Sequence, residues 1–296
     1  MTLANLGNNG RERPQTVRMD AAPRSVEDLT ADLRRLGVAD GDLLMVHASL
    51  RAIGPVDGGA DGVLDALDAA VGPDGTLLMN LSARDDWGWV NDLPESERAE
   101  LLDEAPPFDF MVTPADPEVG VLAEVFRTRP RTKVSDHPEG RFGASGRLAD
   151  LLVDDVPWDD YYGPRSPLAR FVPAGGRVLR LGAHLGTLTV LHFAEYLAPL
   201  PMKRHVRRHR VVTGPEHREL RVVECLDDCD GIVDYPDEDY FETILRGYLA
   251  IGKHATGVVG RAASELIDAN DVVDFGVAWM IENLGGQTST STNQLP

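Results

Sequence analysis

A histidine and a glutamate three residues apart, His192 and Glu195, stand in the otherwise apolar stretch GTLTVLHFAEYL, residues 186–197. If this stretch is helical, Thr189, His192 and Glu195 lie along one face of the helix. A carboxylate bonded to one ring nitrogen fixes the imidazole tautomer and leaves the other nitrogen free to take a proton from a nucleophile. The same spacing is common in structural ion pairs on helix surfaces. The residues alone therefore leave a general base and a structural pair both open.

The place of this stretch in the chain adds a second argument. It follows GRVLRLGA, a predicted buried strand that ends at Leu181 and Gly182. Ligands of open α/β sheets bind at the carboxyl ends of the strands. We expect the helix to begin near Thr187 or Thr189, because either hydroxyl could cap its first turn.

A second candidate site is the stretch VHASLRAIGPVDGGADGVL, residues 46–64, which has the pattern of a strand, a glycine-rich turn and a helix. Such a junction exposes backbone N–H groups that can hold a phosphate-bearing ligand. The stretch matches neither the phosphate-loop nor the dinucleotide-binding pattern. A purely structural role of Gly58 and Gly59 in shaping the turn stays open.

Other motifs favour structure over chemistry. In KVSDHPEGRFGASG, Asp136 and His137 are adjacent in a predicted turn and do not face each other, so His137 is expected to be structural. The basic stretch MKRHVRRHR, residues 202–210, is expected to be a solvated strand face, because nucleic-acid binding would need aromatic platforms and a favourable overall charge. Cys225 and Cys229 form no familiar disulfide or zinc pattern and are expected to be free thiols. No spacing of ligands predicts a metal site.

The composition constrains the binding partners. Lys and Arg total 29 against 48 Asp and Glu, which gives a net charge of −19. Such a field attracts cationic ligands and repels nucleic acid, although solubility or adaptation to salt would explain it equally well. No apolar run approaches the length of a membrane span, and the first residues lack the pattern of a secretory signal. We expect a cytoplasmic protein that contacts neither membrane nor nucleic acid.

The remaining pattern predicts one α/β domain. SVEDLTADLRRLG carries helix signals at both ends, in Ser25 and Gly37. Strand and helix then alternate, which favours a largely parallel or mixed central sheet flanked by helices. The segments RHVRRHRVV and RELRVVECL around TGPEH predict a small antiparallel extension, and residues 85–109 an irregular excursion. We expect a disordered tail over 1–24, the domain over 25–285 and a flexible tail over 286–296.

The order of these segments resembles the aminoglycoside 3-N-acetyltransferases, a family of antibiotic acetyltransferases unrelated in fold to the superfamily of small N-acetyltransferases. The resemblance covers roughly residues 25–285. It is carried by DLLMVHASLRAIGPVDGGADGVLDALDAAVGPDGTLLMN, PPFD, GVLAEVFRTRP, SDHP, SPLARFV, GRVLRLGA, TLTVLHFAEY and GVVGRAASELIDANDVVDFGVAWM.

The resemblance implies roles for the candidate residues. His192 would be the general base, Glu195 its orienting carboxylate, and Thr189 a neighbour able to bond the thioester or its oxyanion. It also implies acetyl-CoA as cosubstrate, direct transfer without an acyl-enzyme, and no metal.

In the coenzyme site, the resemblance implies contacts from HASLRAIG and from one further serine, Ser135. The residues of the first segment would be Ser49, Leu50, Arg51 and Ile53. The chain departs from the family at Val134, where an arginine is usual, so we expect Arg131 or Lys133 to supply part of that contact. FDFMVTP stands where the family commonly has Phe-Asp-Pro, and the local turn is expected to differ.

Aminoglycosides are polycations, so carboxylates are expected to steer and position them. The candidates are Asp85, Asp86, Asp103, Glu104, Asp160 and Glu224, with Tyr162 as a ring contact. Asp103 and Glu224 match acidic family positions best.

The resemblance thus predicts acetylation of the 3-amino group of a 2-deoxystreptamine aminoglycoside, giving antibiotic resistance, by a monomer or homodimer. Two alternatives stay open: a related acetyltransferase for another amine, and a non-catalytic protein that binds cationic ligands or uses MKRHVRRHR to contact acidic partners.

Overall fold

The computed structural model describes residues 22–214, 218–235 and 239–285. The predicted tails at 1–21 and 286–296, and residues 215–217 of the predicted hairpin turn, lie outside the described residues. Arg24, at the end of the first predicted tail, lies within them. It forms a β-bridge with Val56 and an ion pair of 3.2 Å with Asp32.

The described residues contain nine strands: β1 Leu43–Ala48, β2 Thr76–Asn80, β3 Lys133–Val134, β4 Phe142–Gly146, β5 Arg177–Leu181, β6 His205–Val212, β7 Glu219–Leu226, β8 Ala255–Val259 and β9 Ala262–Asp268. Seven of them form one sheet in the order β3-β4-β2-β1-β5-β9-β8. Its three central strands, β2, β1 and β5, are parallel, and an antiparallel pair extends each side. The mixed sheet confirms the predicted fold class.

The described helices are α1 Val26–Leu36, α2 Leu50–Ile53, α3 Gly59–Val71, α4 Glu95–Glu104, α5 Val121–Thr128, α6 Ala149–Val153, α7 Pro167–Phe171, α8 Leu191–Leu197, α9 Tyr240–Ile251 and α10 Ala269–Leu284. The signals at the ends of α1 act as predicted. The Ser25 hydroxyl accepts a hydrogen bond of 3.1 Å from the Asp28 N–H, and Gly37 adopts φ 108° at the other end.

Strand alternation divides the apolar residues between two cores. Leu44 and Val46 of β1 face the core formed with α1, α3 and α5, whereas Leu43 and Met45 face a larger core formed with α6 to α10. The α8 helix lies on the second face. In the segment that leads from β5 to α8, Gly182 has φ 63°, and a Cβ at this position would lie 2.4 Å from the Cβ of Ala52. This glycine lets the end of β5 pass close to α2.

Two expectations for the chain pattern are corrected. The excursion at residues 85–109 contains a ten-residue helix, α4. The antiparallel strands β3, β4, β8 and β9 were missing from the alternation-based prediction, since segments such as FGASG carry little strand propensity and are stabilised by pairing with their neighbours.

The predicted antiparallel extension is the separate two-stranded sheet of β6 and β7. Its basic residues do not form one solvated face, contrary to expectation. Arg207 is 69% exposed, but Arg208 and Arg210 on the opposite face are 13% and 15% exposed and lie among carboxylates. Because successive side chains of a strand point to opposite faces, Arg208 and Arg210 point towards the protein interior.

Within the described ranges, no helix combines the length and the apolar character needed to cross a membrane.

Candidate active site

The α8 helix brings His192 and Glu195 together as predicted. The ring Nδ1 of His192 lies 2.8 Å from Oε2 of Glu195, and the side chains are 18% and 2% exposed. Since Nδ1 keeps its proton to donate a hydrogen bond to the carboxylate, Nε2 is the nitrogen left to accept one. The expected threonine cap is wrong, because α8 begins at Leu191 with Val190 before it and has no side-chain cap. Thr189 stays close to the pair, since its carbonyl accepts the His192 N–H at 3.1 Å.

Glu195 is held from its other side as well. The hydroxyl of Tyr240 donates to Oε1 of Glu195 and accepts the backbone N–H of Ile232 at 3.2 Å. Both carboxylate oxygens are therefore engaged, and the orientation of the carboxylate is set by two separate elements. Tyr240 was not among the predicted residues, because it stands 45 positions from Glu195 and no local pattern marks the contact.

Aromatic rings fix the plane of the His192 imidazole. Tyr162 stacks on it with ring centroids 4.7 Å apart and an interplanar angle of 7°, and Phe241 meets it edge-on at 4.7 Å. Burial lowers the pKa of His192, but the charge and hydrogen bond of Glu195 and the nearby carboxylates of Asp228 and Asp239 outweigh it, so the pKa is raised above its usual value.

His192 and Glu195 line a pocket of about 320 Å³ whose wall carries further carboxylates, here called the acidic pocket. Its other acidic residues are Asp227, Asp228, Asp230 and Asp239. Three of them come from the segment ECLDDCDG, in which the sequence predicted Glu224 as a substrate contact and the two cysteines as free thiols. A dense run of acids next to Gly231 was the available signal, but which of them face inward is decided by the loop.

Arg208 supports this wall from behind. Its guanidinium lies 2.7 Å from Asp228, and the Tyr161 hydroxyl donates to the same carboxylate at 2.5 Å. Burial raises the pKa of Asp228, yet the charges of Arg208 and His192 and these hydrogen bonds bring it below the usual value. Asp228 is therefore anionic at neutral pH.

None of the six predicted substrate carboxylates lines the acidic pocket. Asp85 and Asp86 lie on a second pocket of about 310 Å³, where they pair with Arg210 and Arg84. Sequence reasoning chose these acids by their place in a polar excursion, and the excursion folds along a different part of the surface.

The other predicted contacts are also accounted for. Asp103 and Glu104 are exposed at the end of α4, and Glu224 is exposed and pairs with Arg207 at 2.7 Å. Asp160 accepts a hydrogen bond of 2.9 Å from the Tyr196 hydroxyl. The predicted ring contact Tyr162 is 5% exposed and lies against His192 rather than open to a ligand.

The predicted coenzyme segment lies at the carboxyl end of β1. The N–H of Ser49 donates to the carbonyl of Leu181 at 2.9 Å, and its hydroxyl accepts the N–H of Ala52 at 3.3 Å. Leu50 is half-buried and Arg51 exposed. The side chain of Ile53 is fully buried, and its backbone N–H and carbonyl are hydrogen-bonded to Ser49 and Arg261 at 3.0 Å each.

Ser135 is buried and bonds Phe142 through both backbone and hydroxyl, the hydroxyl accepting the Phe142 N–H at 2.9 Å. Arg131 and Lys133, expected to compensate for Val134, are exposed, and Lys133 pairs with Asp150.

His137 is structural, as the sequence indicated. Its Nδ1 accepts the N–H of Gly140 at 2.8 Å, and Nε2 donates to the carbonyl of Trp158 at 2.8 Å. Burial lowers its pKa to about 4, so the ring is neutral. The cysteines are free thiols, also as predicted, with Cys225 buried and Cys229 exposed on the acidic pocket. Over the described part of the chain, no group of three or more His, Cys, Asp or Glu is placed to hold a metal ion.

Comparison with known proteins gives a consistent result. The family model described as aminoglycoside 3-N-acetyltransferase matches residues 45–281. The chain is 41% identical over 268 residues to aminoglycoside N(3)-acetyltransferase III of Serratia marcescens, covering 88% of this chain and 98% of that protein.

Solved structures agree with this. The complex of AAC-IIIb with CoASH superposes with a TM-score of 0.86 at 38% identity, covering 90% of this chain and all of that one. AAC-VIa bound to sisomicin superposes with a TM-score of 0.82 at 39% identity, covering 88% and 98%.

Proposed function

This chain belongs to the aminoglycoside 3-N-acetyltransferase family, and we propose that His192 is the general base of its reaction. The enzyme transfers the acetyl group of acetyl-CoA to an aminoglycoside. One observation carries the proposal for His192. Its imidazole is bound through Nδ1 to a buried carboxylate, and it faces a pocket lined by further carboxylates.

The chemistry follows from this arrangement. An ammonium group must lose a proton before its nitrogen can attack a thioester, and Nε2 of His192 takes that proton. The nitrogen then forms a bond to the acetyl carbon, and the carbon–sulfur bond breaks. The nitrogen releases its second proton to solvent, and the leaving sulfur receives the proton held by the imidazolium, which yields CoASH and the neutral amide. Glu195 stabilises the imidazolium between these steps.

The wall of the acidic pocket is suited to a polycation. Asp227 and Asp228 face Arg204 and Arg208. Within the described ranges, no basic side chain lies within ion-pair distance of Asp230 or Asp239. We therefore assign these last carboxylates, which are exposed on the acidic pocket, to the ammonium groups of the substrate, in place of the acids expected from the sequence, which do not line it.

For acetyl-CoA, the segment Ser49–Ile53 stays the proposed site. The hydrogen bond from Ser49 to Leu181 places this segment beside the end of β5, the strand whose following loop leads to His192. Thr189 is proposed to bond the thioester oxygen, since it is joined to His192 by a backbone hydrogen bond and retains 7% exposure.

The test is turnover with acetyl-CoA and aminoglycosides that carry or lack a 3-amino group. Loss of thioester absorbance is the suitable signal, because the exposed Cys229 would itself consume a thiol reagent. We expect turnover restricted to compounds with that amine and abolished in His192→Ala, with both dissociation constants retained. The matched control is His184→Ala, since His184 also faces a glutamate, Glu242, but is 72% exposed. Full turnover in His192→Ala would exclude His192 as the base.

Cys229 offers an independent test of the pocket. Burial and the charge of Asp228 raise the pKa of its thiol to about 11, so alkylation is slow but measurable at alkaline pH, and Cys225 is shielded. An aminoglycoside bound in the acidic pocket should protect Cys229 from a neutral alkylating reagent. Unchanged labelling at saturating aminoglycoside would place the substrate elsewhere.

A further inference from the structure

Four polar side chains stand side by side at the carboxyl ends of the central strands, on the sheet face that packs against α8. This polar row consists of Asn80, His47, Arg180 and Glu265, on β2, β1, β5 and β9. The register pairs His47 with Arg180 and Arg180 with Glu265. Two residues away on the same strand, each has a neighbour that belongs to the larger core on the α8 side of the sheet. In the same order, these neighbours are Leu78, Met45, Val178 and Ile267. Strand alternation therefore puts all four on the same face.

The polar row reaches the catalytic pair through Tyr162. Asn80 Nδ2 lies 3.4 Å from the Tyr162 hydroxyl, and the ring of Tyr162 stacks on His192. The lining of the acidic pocket, over the described residues, includes no member of the row. The row and the acidic pocket thus approach His192 through different neighbours.

Arg180 is a fixed buried cation in this row. Its side chain is 2% exposed, with one nitrogen 2.9 Å from Glu265 and another donating to the carbonyl of Ala183 at 2.5 Å. The Ala183 contact ties the end of β5 to the loop that precedes α8. An ammonium group would be repelled by this guanidinium, so the row is unsuited to the polycationic substrate.

Two members of the row have a buried side-chain nitrogen without a hydrogen-bond partner among the described residues, namely Nε of Arg180 and Nε2 of His47. His47 as a residue is half-buried, but its Nε2 is buried and meets no hydrogen-bond partner among the described residues. Burial and the charge of Arg180 lower the pKa of His47 to about 3, so the ring is neutral throughout the working pH range. Leaving such a nitrogen unpaired costs free energy, which a ligand can recover by pairing with it.

A neutral imidazole suits an uncharged carbonyl better than a phosphate, which would favour an imidazolium or arginine. Acetyl-CoA carries uncharged carbonyls in its pantetheine arm, two in amides and one in the thioester. We propose that Nε2 of His47 donates a hydrogen bond to one of the two amide carbonyls of the pantetheine arm, which CoASH and acetyl-CoA share, and so guides the thioester to the side of His192 away from the acidic pocket. This proposal rests on the proposed function, because it assumes that acetyl-CoA binds at the carboxyl ends of these strands.

The test compares dissociation constants of CoASH, of 3′,5′-ADP, which lacks the arm, and of an aminoglycoside. His47→Leu removes the donor with little change in volume. We expect CoASH to bind about 5- to 10-fold more weakly, the usual weight of one neutral hydrogen bond. The affinities for 3′,5′-ADP and aminoglycoside should stay unchanged. His47→Gln, whose amide N–H reaches about as far as Nε2, should restore most of the CoASH affinity, whereas His47→Asn should not.

His254→Leu is the matched control. His254 also has a buried ring nitrogen without a hydrogen-bond partner among the described residues, at Nδ1, but it precedes the edge strand β8, three strands away from β1 in the sheet. The His254→Leu variant should bind CoASH, 3′,5′-ADP and the aminoglycoside with wild-type affinity. Wild-type affinity of His47→Leu for CoASH would overturn the proposal, and so would an equal loss for all three ligands. Failure of the wild type itself to bind CoASH would instead refute the proposed function.

Discussion

Replacement of Glu195 by glutamine tests the proposed roles of His192 and Glu195 most directly. Tyr240 accepts the Ile232 N–H and must keep donating its own proton to the side chain at position 195. In the variant, the amide oxygen would take that bond, and the amide NH2 would face Nδ1 of His192. The ring proton then moves to Nε2, so the nitrogen that should accept the substrate's proton already carries one.

The size of the effect follows from the tautomer and the lost charge. Fixing the wrong tautomer in a comparable carboxylate–histidine pair costs about 10⁴ in kcat, and general-base catalysis is worth about 10² to 10⁴. We therefore expect kcat to fall about 10²- to 10⁴-fold, which corresponds to about 2.7 to 5.5 kcal/mol in the barrier. Burial would then lower the pKa of His192 with less opposition, so the acid limb of the pH profile should shift to lower pH.

The assay is kcat/KM against pH, with the dissociation constants of both substrates as checks on the fold. The wild-type limb should lie above the usual histidine range, because the pKa of His192 is raised and the active form is the neutral one. Glu242→Gln is the control, since Glu242 lies 3.7 Å from the exposed His184 and such surface pairs contribute little. A Glu195→Gln variant with wild-type kcat and an unshifted acid limb would refute the reasoning.

Three further outcomes are expected. Tyr240→Phe removes the donor to Glu195 but keeps the ring, so kcat should fall about 10-fold with both affinities unchanged; an unaltered kcat would show that the contact does not position the carboxylate. Asp239→Asn keeps the helix cap but loses the charge, so the KM for the aminoglycoside should rise roughly 3- to 10-fold and depend less on salt. The control Asp103→Asn, at an exposed position outside the acidic pocket, should change neither the KM for the aminoglycoside nor its salt dependence. Equal effects of the two substitutions would argue against the acidic pocket as the substrate site. The lowered pKa of His137 means that the unfolded chain takes up the proton first on acidification. The neutral His137 therefore contributes about 3 kcal/mol to the free energy of unfolding above pH 6.5, and this contribution is lost as the pH falls to about 4. In thermal unfolding, His137→Asn should be less stable than the wild type at neutral pH but should lose less stability between pH 6.5 and about 4. If both proteins lost stability in parallel over this range, the buried neutral state of His137 would be contradicted.

The comparison between sequence and structure is clearest in the site. Helical spacing correctly predicted that His192 and Glu195 meet, because residues three apart on a helix are neighbours whatever surrounds them. The same reasoning misplaced the cap of α8. A 3₁₀ turn over Leu185–Thr187 precedes it, and the Thr187 hydroxyl donates to the carbonyl of His184 instead.

The substrate carboxylates show where composition stops being informative. An excess of acids predicts a cationic ligand but does not say which acids surround it. Asp85 was chosen for its place in a polar excursion and Asp103 because it matches an acidic family position, whereas the acidic pocket takes its carboxylates from the loop after β7 and from the start of α9. Loop conformation decides this, and it depends on contacts such as that of Arg208 with Asp228.

By itself, the sequence determined what depends on neighbouring residues and on the order of segments. This includes the capped helix α1, the three parallel strands at the centre of the sheet, the pairing of His192 with Glu195, and the resemblance to an acetyltransferase family. Tertiary structure alone decided the contacts between residues far apart in the chain. These are the hydrogen bond from Tyr240 to Glu195, the stacking of Tyr162 on His192, and the pairing of His47 with Arg180 on neighbouring strands. The physical reason is that spacing along a helix or strand fixes local geometry, whereas contacts between elements follow from how whole faces pack together.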